Sequence, residues 1–111
     1  MALLGEVLDE LLESEIIDTS DVARVAHTTP RSVARWTAAK ASPRRDNEDR
    51  LLELRAVVEQ LRRVLRDDAA RLWLRSPNPE LEWQKPIDLI AEGQYRRVIA
   101  AILAVGEGVT A

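Results

Sequence analysis

A short helix with a clearly marked start constrains this chain most, because its two faces differ in character. Residues 29–36 read Thr-Pro-Arg-Ser-Val-Ala-Arg-Trp. A threonine at the N-cap accepts a hydrogen bond from a free backbone N–H, and a proline suits the first helical turn. At about 100° per residue, Val33 and Trp36 fall on one side of the helix. Arg31 and Arg35 fall on the other side. The pattern predicts a helix that is anchored in a core by one face and presents two guanidinium groups on the opposite face.

The preceding segment predicts a second short helix packed against the first. Residues 21–26 form it, and Thr19 or Ser20 provides its N-cap. His27 and Thr28 make the turn, since histidine tolerates a positive φ better than most residues do. Two short helices joined by a tight turn, each with an apolar inner face, indicate a helix-turn-helix.

The chain has a net charge of −3, but its charges are distributed unevenly along the sequence. Residues 1–18 carry six acidic side chains and no basic one, whereas residues 19–45 carry six basic side chains and one acidic one. A basic segment that coincides with the helix-turn-helix indicates a surface for phosphate. Aromatic residues make up only 4% of the chain, which disfavours a stacking platform for single-stranded nucleic acid. The sequence therefore predicts binding to double-stranded DNA.

The candidate DNA-binding residues occupy the second helix of the motif and the chain on either side of it. Arginine pairs with guanine in the major groove, so Arg31 and Arg35 are the candidate base readers. Thr28 and Ser32 are candidate phosphate contacts. Lys40 and the later arginines serve either as phosphate contacts or only for solubility. The full set is Thr28, Arg31, Ser32, Arg35, Lys40, Arg44 and Arg45.

Helical periodicity extends through the rest of the chain, which predicts an all-α fold. A long amphipathic helix, about 30 Å in length, is expected over residues 46–66, with Asp46 or Asn47 as its N-cap. Gly93 closes the helix before the last one, in the C′ position where glycine is favoured. The other expected helices span residues 3–14, 67–75, 87–92 and 94–105. We divide the chain into a DNA-binding module (1–45), a connecting helix (46–66) and a C-terminal module (67–111).

Composition argues against catalysis, a cofactor or a metal site. The chain has no cysteine and one histidine, and it has no glycine-rich phosphate loop. His27 is better explained as a turn residue than as a metal ligand, since no ligand cluster surrounds it. The longest apolar run has eight residues, whereas a bilayer requires about 20. We therefore expect a cytoplasmic binding protein without a membrane segment.

The C-terminal third contains a characteristic set of spaced residues: Trp73-Leu74, Ser76-Pro77-Asn78, Leu81, Pro86, Asp88-Leu89, Gly93, Tyr95, Val98 and Gly106-Glu107-Gly108. In this set the segment resembles the toxin-binding domain of Xre/MbcA/ParS-type antitoxins. Trp83 departs from the family pattern, because many relatives have glycine there. Ala23 and Val33 lie ten residues apart, and in this spacing the helix-turn-helix is similar to that of phage-repressor-like regulators.

The resemblance implies a bacterial type II toxin–antitoxin system. The partner in such systems is usually a RES-domain toxin that destroys NAD, and the complex represses its own operon. In the family, the C-terminal end of the antitoxin lies at the mouth of the toxin's active site. The resemblance implies that the toxin-binding residues are Gly106, Glu107, Gly108, Val109, Thr110 and Ala111. Trp83 is a further toxin-binding candidate, because its departure from the family pattern bears on the choice of partner.

Three questions stay open from the sequence. The first is the function: the chain is either an antitoxin, or a stand-alone regulator whose C-terminal helices only dimerise, or an adaptor that has lost DNA binding.

The oligomeric state and the places of the tryptophans are the other two. We expect a homodimer or a larger hetero-oligomer with the toxin, because one recognition helix binds DNA weakly. Trp36 and Trp73 are expected in the core, whereas Trp83 is either a core residue or an exposed anchor. Leu52, on the polar side of the long helix, hints at a further contact.

Overall fold

A computed structural model describes residues 4–107, in which seven α-helices are joined by short loops. This confirms the all-α class. A 3-10 turn, Pro79–Leu81, lies between α5 and α6. The helices are α1 Leu4–Glu13, α2 Thr19–Val25, α3 Pro30–Thr37, α4 Arg45–Val64, α5 Asp67–Arg75, α6 Pro86–Ala91 and α7 Tyr95–Gly106.

The long helix α4 lies at the centre of one hydrophobic core. It contacts α1, α2, α5, α6 and α7, and all seven helices contribute buried side chains to the same cluster. Each large aliphatic side chain buried in this way stabilises the fold by about 1.5–3 kcal/mol. The buried side chains on α4 itself are Leu51, Leu54, Val57, Val58 and Leu61.

The N-cap of α3 is confirmed, whereas the expected caps of α2 and α4 are wrong. Thr29 Oγ1 accepts the backbone N–H of Ser32 at 3.1 Å, as its position predicted. For α2 the cap is Asp18 rather than Thr19 or Ser20. The Asp18 carboxylate accepts the N–H of Asp21 at 2.9 Å, and the Asp21 carboxylate accepts the N–H of Asp18 at 3.0 Å. This reciprocal capping box satisfies two backbone donors, so the helix begins earlier than expected.

Helix α4 also begins earlier than predicted. Its N-cap is Arg44, which makes no side-chain capping bond, so neither Asp46 nor Asn47 serves as the cap. Asn47 instead donates from Nδ2 to the carbonyl of Ala26 at 2.5 Å. The side chain of Asn47, which we expected to cap α4, therefore forms a tertiary hydrogen bond to the end of α2.

Three helices end in the same left-handed turn, which satisfies carbonyl groups at their C-termini. His27, Ala39 and Gly93 have φ values of 59°, 59° and 83°. In each case the next N–H bonds back to the helix, as Thr28 does to the carbonyl of Ala23 at 2.8 Å. The interpretation of His27 as a turn residue is confirmed. The turn at His27 lies between α2 and α3 and fixes the angle at which α3 leaves α2.

Contacts cross between the segments that the sequence assigns to separate modules. Arg24 on α2 pairs with Asp88 on α6 at 2.5 Å. His27 Nε2 lies 2.6 Å from the carbonyl oxygen of Ala91, at the end of α6. The module boundaries at residues 45 and 66 remain a prediction, but α2 packs directly against α6.

Candidate nucleic-acid and partner interfaces

The outer face of α3 carries the two candidate base readers. Arg31 and Arg35 are exposed, while Val33 and Trp36 on the opposite face are buried. Trp36 is only 8% exposed, which confirms it as a core residue. The cap at Thr29 and the turn after the helix hold both ends of α3. The structure thus presents two guanidinium groups one turn apart on a rigidly anchored helix.

Small side chains surround these two arginines. Ala34 and Ala38 are exposed on the same face of α3 as Arg31 and Arg35. A helix must lie close to the base edges to read them in a major groove, and an alanine methyl can contact the methyl of thymine. Between and beside its two arginines, this face of α3 therefore carries only methyl side chains.

The remaining candidate residues lie on both sides of α3. Thr28 and Ser32 are half-buried, and the hydroxyl of Thr29 donates to Ser32 Oγ at 3.2 Å. Lys40 follows α3 directly, and Arg44 and Arg45 begin α4. All three of these cations are exposed.

The five cations of this surface differ from most others in their electrostatic environment. None of Arg31, Arg35, Lys40, Arg44 and Arg45 has an acidic side chain within ion-pairing distance in the described part of the chain. By contrast, eight of the ten other arginines of residues 4–107 form ion pairs. The positive charge of this segment is therefore available to an external anion.

Exposed large apolar side chains are concentrated in the C-terminal module. Of the five in residues 4–107, four lie after residue 66, and the fifth is Leu52. The four are Leu72, Trp83, Leu103 and Val105. A groove of about 400 Å³ lies in the same module, between the end of α5 and the second half of α7. Trp73 lines this groove and is half-buried, so it packs only partly into the core, where we expected it.

Trp83 is a surface residue, which decides the question that the sequence left open. Its side chain is 69% exposed, and its φ is 67°. Glu82 also has a positive φ of 56°, and the N–H of Gln84 bonds to the carbonyl of Leu81 at 3.0 Å. Two successive left-handed residues closed by such a bond form a type I′ turn. The chain adopts this turn although Trp83 is a bulky residue, for which a positive φ is uncommon.

The predicted toxin-binding tail divides into a described and an undescribed part. Gly106 is the last residue of α7, and Glu107 caps it. A Cβ atom at Gly106 would lie 2.7 Å from Val64 Cγ1, so glycine permits a close approach of α7 to α4. Gly108, Val109, Thr110 and Ala111 lie outside the described residues.

A cluster of charges that sequence reasoning missed joins α2 to α5. Arg75 forms an ion pair with Asp21 and donates to the carbonyl of Ile16 at 3.0 Å. The backbone N–H of Asp21 lowers the pKa of Asp18, whereas burial raises the pKa of Asp21. The Asp-x-x-Asp spacing was the available signal for the capping box, but nothing local pointed to Arg75.

The described residues, 4–107, offer neither a metal site nor a membrane-spanning helix. In residues 4–107 no group of three or more His, Asp or Glu side chains is placed to hold a metal ion. None of the helices within that range has the length and apolar character that a membrane span requires. The basic surface around α3 and the exposed apolar side chains after residue 66 are the candidate sites in this part of the chain.

Comparison with known proteins finds relatives that match nearly the whole chain. Residues 53–108 match the family model described as the antitoxin Xre/MbcA/ParS C-terminal toxin-binding domain. The mycobacterial cidal antitoxin MbcA of Mycobacterium tuberculosis is 42% identical over 107 residues, which cover 96% of this chain and 95% of MbcA. The MbcA of Mycobacterium bovis matches equally well.

Two further matches agree with this result. A probable mycobacterial cidal antitoxin of M. tuberculosis is 35% identical, covering 88% of this chain and 91% of its own length. A chain in the crystal structure of the M. tuberculosis MbcT–MbcA toxin–antitoxin complex superposes with a TM-score of 0.87 at 40% identity, with both chains fully covered. These relatives are antitoxins, which agrees with the expectation of a binding protein rather than an enzyme. On this evidence the chain belongs to the Xre/MbcA/ParS family of antitoxins.

Proposed function

We propose that this antitoxin neutralises a RES-domain, NAD-degrading toxin by direct binding, and that it also binds operator DNA through α3 to repress its own operon. The observation that carries the first part is the match of residues 53–108 to a toxin-binding domain. Both activities take place in the cytoplasm. The chain would then work at two separate surfaces of one folded body.

Exposed apolar side chains support toxin binding by the C-terminal module. Leu72, Trp83, Leu103 and Val105 offer apolar area to a partner, and the groove beside Trp73 offers a concave surface. Protein interfaces are enriched in aromatic side chains at their buried centres. The similar MbcA chain occurs in a complex with the toxin MbcT. A toxin is therefore the partner that best accounts for this surface.

Unpaired cations support the DNA-binding part. Each well-formed arginine–guanine pair contributes about 1–3 kcal/mol of discrimination, and Arg31 and Arg35 are placed for two such pairs. Lys40, Arg44 and Arg45 add charge that neutralises phosphate. The free energy of DNA binding should then depend steeply on salt, with a slope of log K against log salt of about −0.9 per phosphate contacted. A homodimer, or a larger assembly with the toxin, would place two copies of α3 on two half-sites.

A truncation tests the tail in toxin neutralisation. Deletion of residues 108–111 spares Gly106, whose contact with Val64 supports the end of α7. We expect cells that co-express the toxin and the truncated chain to stop growing, while the full chain protects them. Equal protection by both chains at equal abundance would exclude the tail from the toxin interface.

An arginine substitution tests DNA binding independently of toxin binding. Arg35→Ala should weaken binding to the chain's own promoter at least about fivefold and leave toxin capture intact. Arg63→Ala is the matched control, because Arg63 is also exposed and unpaired among the described residues but lies on α4, outside the basic segment. If Arg35→Ala and Arg63→Ala bind the promoter equally, α3 is not the reading helix. If the chain binds its promoter but captures no toxin, it is a stand-alone regulator.

A further inference from the structure

Trp83 combines two features that both have a cost. In the described part of the chain it is the most exposed of the large apolar side chains, at 69%. Its backbone also adopts a left-handed conformation, which bulky residues rarely take. Core packing often compensates for such strain, but an exposed indole gains little from the core. Backbone strain that no core contact offsets indicates that the residue has a function other than stabilising the fold.

The loop that carries Trp83 is tightly held by its own hydrogen bonds. The carbonyl of Asn78 accepts the N–H groups of Leu81 at 2.9 Å and Trp83 at 2.8 Å. The N–H of Asn78 donates to the carbonyl of Gln84 at 3.1 Å. Leu81, only 2% exposed, fixes the loop to the core. The indole is therefore presented on a preformed support.

We propose that Trp83 is a preorganised anchor that enters an apolar cleft on the toxin. This inference rests on the proposed function, since it names a residue of the toxin interface. Tryptophan is over-represented among the few residues that dominate binding energy, and a rigid support lowers the entropy lost on binding. The indole N–H has no acceptor among residues 4–107, so the cleft should offer a carbonyl or carboxylate oxygen.

The surroundings of Trp83 favour a protein partner over nucleic acid. Trp83 lies inside the segment that matches a toxin-binding domain. Glu80 and Glu82 flank it, and both are exposed. Glu82 pairs with Arg97 at 3.1 Å, whereas Glu80 has no cation within ion-pairing distance among residues 4–107. The carboxylate of Glu80 would repel a phosphate backbone, whereas it leaves an apolar protein cleft accessible. The toxin is therefore the occupant that these observations favour.

An anchor under strain has effects of opposite sign on stability and on binding. Glycine adopts the left-handed conformation without steric cost, so Trp83→Gly relieves the strain. The melting temperature of the chain should then stay equal or rise by up to about 5 °C. Affinity for the toxin should fall about tenfold or more, which is the scale of loss at an interface anchor. If Trp83 instead stabilised the fold, Trp83→Gly would lower the melting temperature and the toxin affinity together.

Two further variants separate the indole from the flexibility of the loop. Trp83→Asn removes the indole but keeps a side chain that tolerates the left-handed region. Glu82→Gly introduces the same glycine one position earlier and keeps the indole. Affinity for the purified cognate toxin is measured by titration calorimetry, the melting temperature by circular dichroism, and the molar mass by light scattering.

Both Trp83 variants should lose affinity at least about tenfold without a lower melting temperature, while Glu82→Gly stays within about threefold of the parent. The proposal is overturned if either Trp83 variant keeps the parent's affinity, if the melting temperature falls with the affinity, or if Glu82→Gly loses as much. A change in molar mass with unchanged toxin affinity would assign the indole to self-association and also overturn it. If the unaltered chain does not bind the toxin, the proposed function fails, which is a separate result.

Discussion

At the scale of single residues, hydrogen bonding of the backbone decides several conformations that residue type alone does not favour. Glu15, His27, Ala39, Glu82 and Trp83 all have positive φ values without being glycine. The turn at His27 could be predicted, because histidine tolerates this region. The turn at Ala39 could not, since alanine carries no such signal and the ladder of α3 imposes the conformation.

Ala39→Gly should stabilise the chain by about 0.5–1 kcal/mol, because the left-handed conformation costs alanine more than glycine. Ala39 is exposed, so the substitution removes little packing. Urea denaturation measures the free energy of unfolding. Ala38→Gly is the control: Ala38 has a φ of −82°, so glycine there should destabilise. Equal effects at the two positions would contradict this reasoning.

Asp18→Ala should destabilise the chain by about 1 kcal/mol at neutral pH, because it removes the N-cap of α2. The lowered pKa of Asp18 means that its charged form stabilises the fold above the ordinary value of about 3.9. That contribution disappears as the pH falls through the lowered pKa. Burial raises the pKa of Asp21, so the charge of Asp21 opposes folding above that pKa and its protonation at low pH relieves the penalty.

Urea unfolding of the parent and of Asp18→Ala, followed from pH 7 to pH 3, checks these signs. The difference in unfolding free energy between them should be largest near neutral pH and shrink in acid. A difference that grows as the pH falls would show that the Asp18 carboxylate does not act as the cap in its charged form.

At the scale of elements, local patterns predict helices well and their exact starts poorly. The cap and both faces of α3 follow from residues 29–36 alone, because capping and amphipathicity are local. The start of α4 does not, because Asn47 bonds to Ala26 far away in the sequence. The exposure of Trp83 could not be predicted from the sequence either, since hydrophobicity does not distinguish a core tryptophan from an exposed one.

Gly106→Ala should destabilise the packing of α7 on α4 by about 1 kcal/mol, since the new methyl would overlap Val64. The double variant with Val64→Ala should recover much of this loss, because the clash is then absent. A double-mutant cycle of unfolding free energies measures the coupling. Purely additive effects would show that the two residues do not meet.

At the scale of the whole molecule, the two candidate surfaces belong to one packed body. Arg24 pairs with Asp88, and His27 meets the end of α6, so the helix-turn-helix rests on the C-terminal module. All helices share one core cluster. The division into modules stays a prediction. The packing of α2 on α6 could not be predicted, since it depends on contacts such as the one between His27 and Ala91, 64 residues apart in the sequence.

Unfolding should therefore be a single transition rather than two. Circular dichroism at 222 nm follows the helices, and tryptophan fluorescence follows Trp36 in the core and the other two tryptophans after α4. The two curves should coincide in urea, because a shared core unfolds cooperatively. Separate midpoints would show that the helix-turn-helix and the C-terminal module fold independently.

As an antitoxin, the chain should silence its toxin by binding it. The direct measurement is NAD consumption by the purified cognate toxin while the chain is titrated in. We predict that consumption stops when the chain reaches a fixed stoichiometric ratio. We also predict that Arg35→Ala stops it equally well, because we propose that α3 binds DNA and not the toxin. Undiminished NAD consumption in an excess of folded chain would contradict the account.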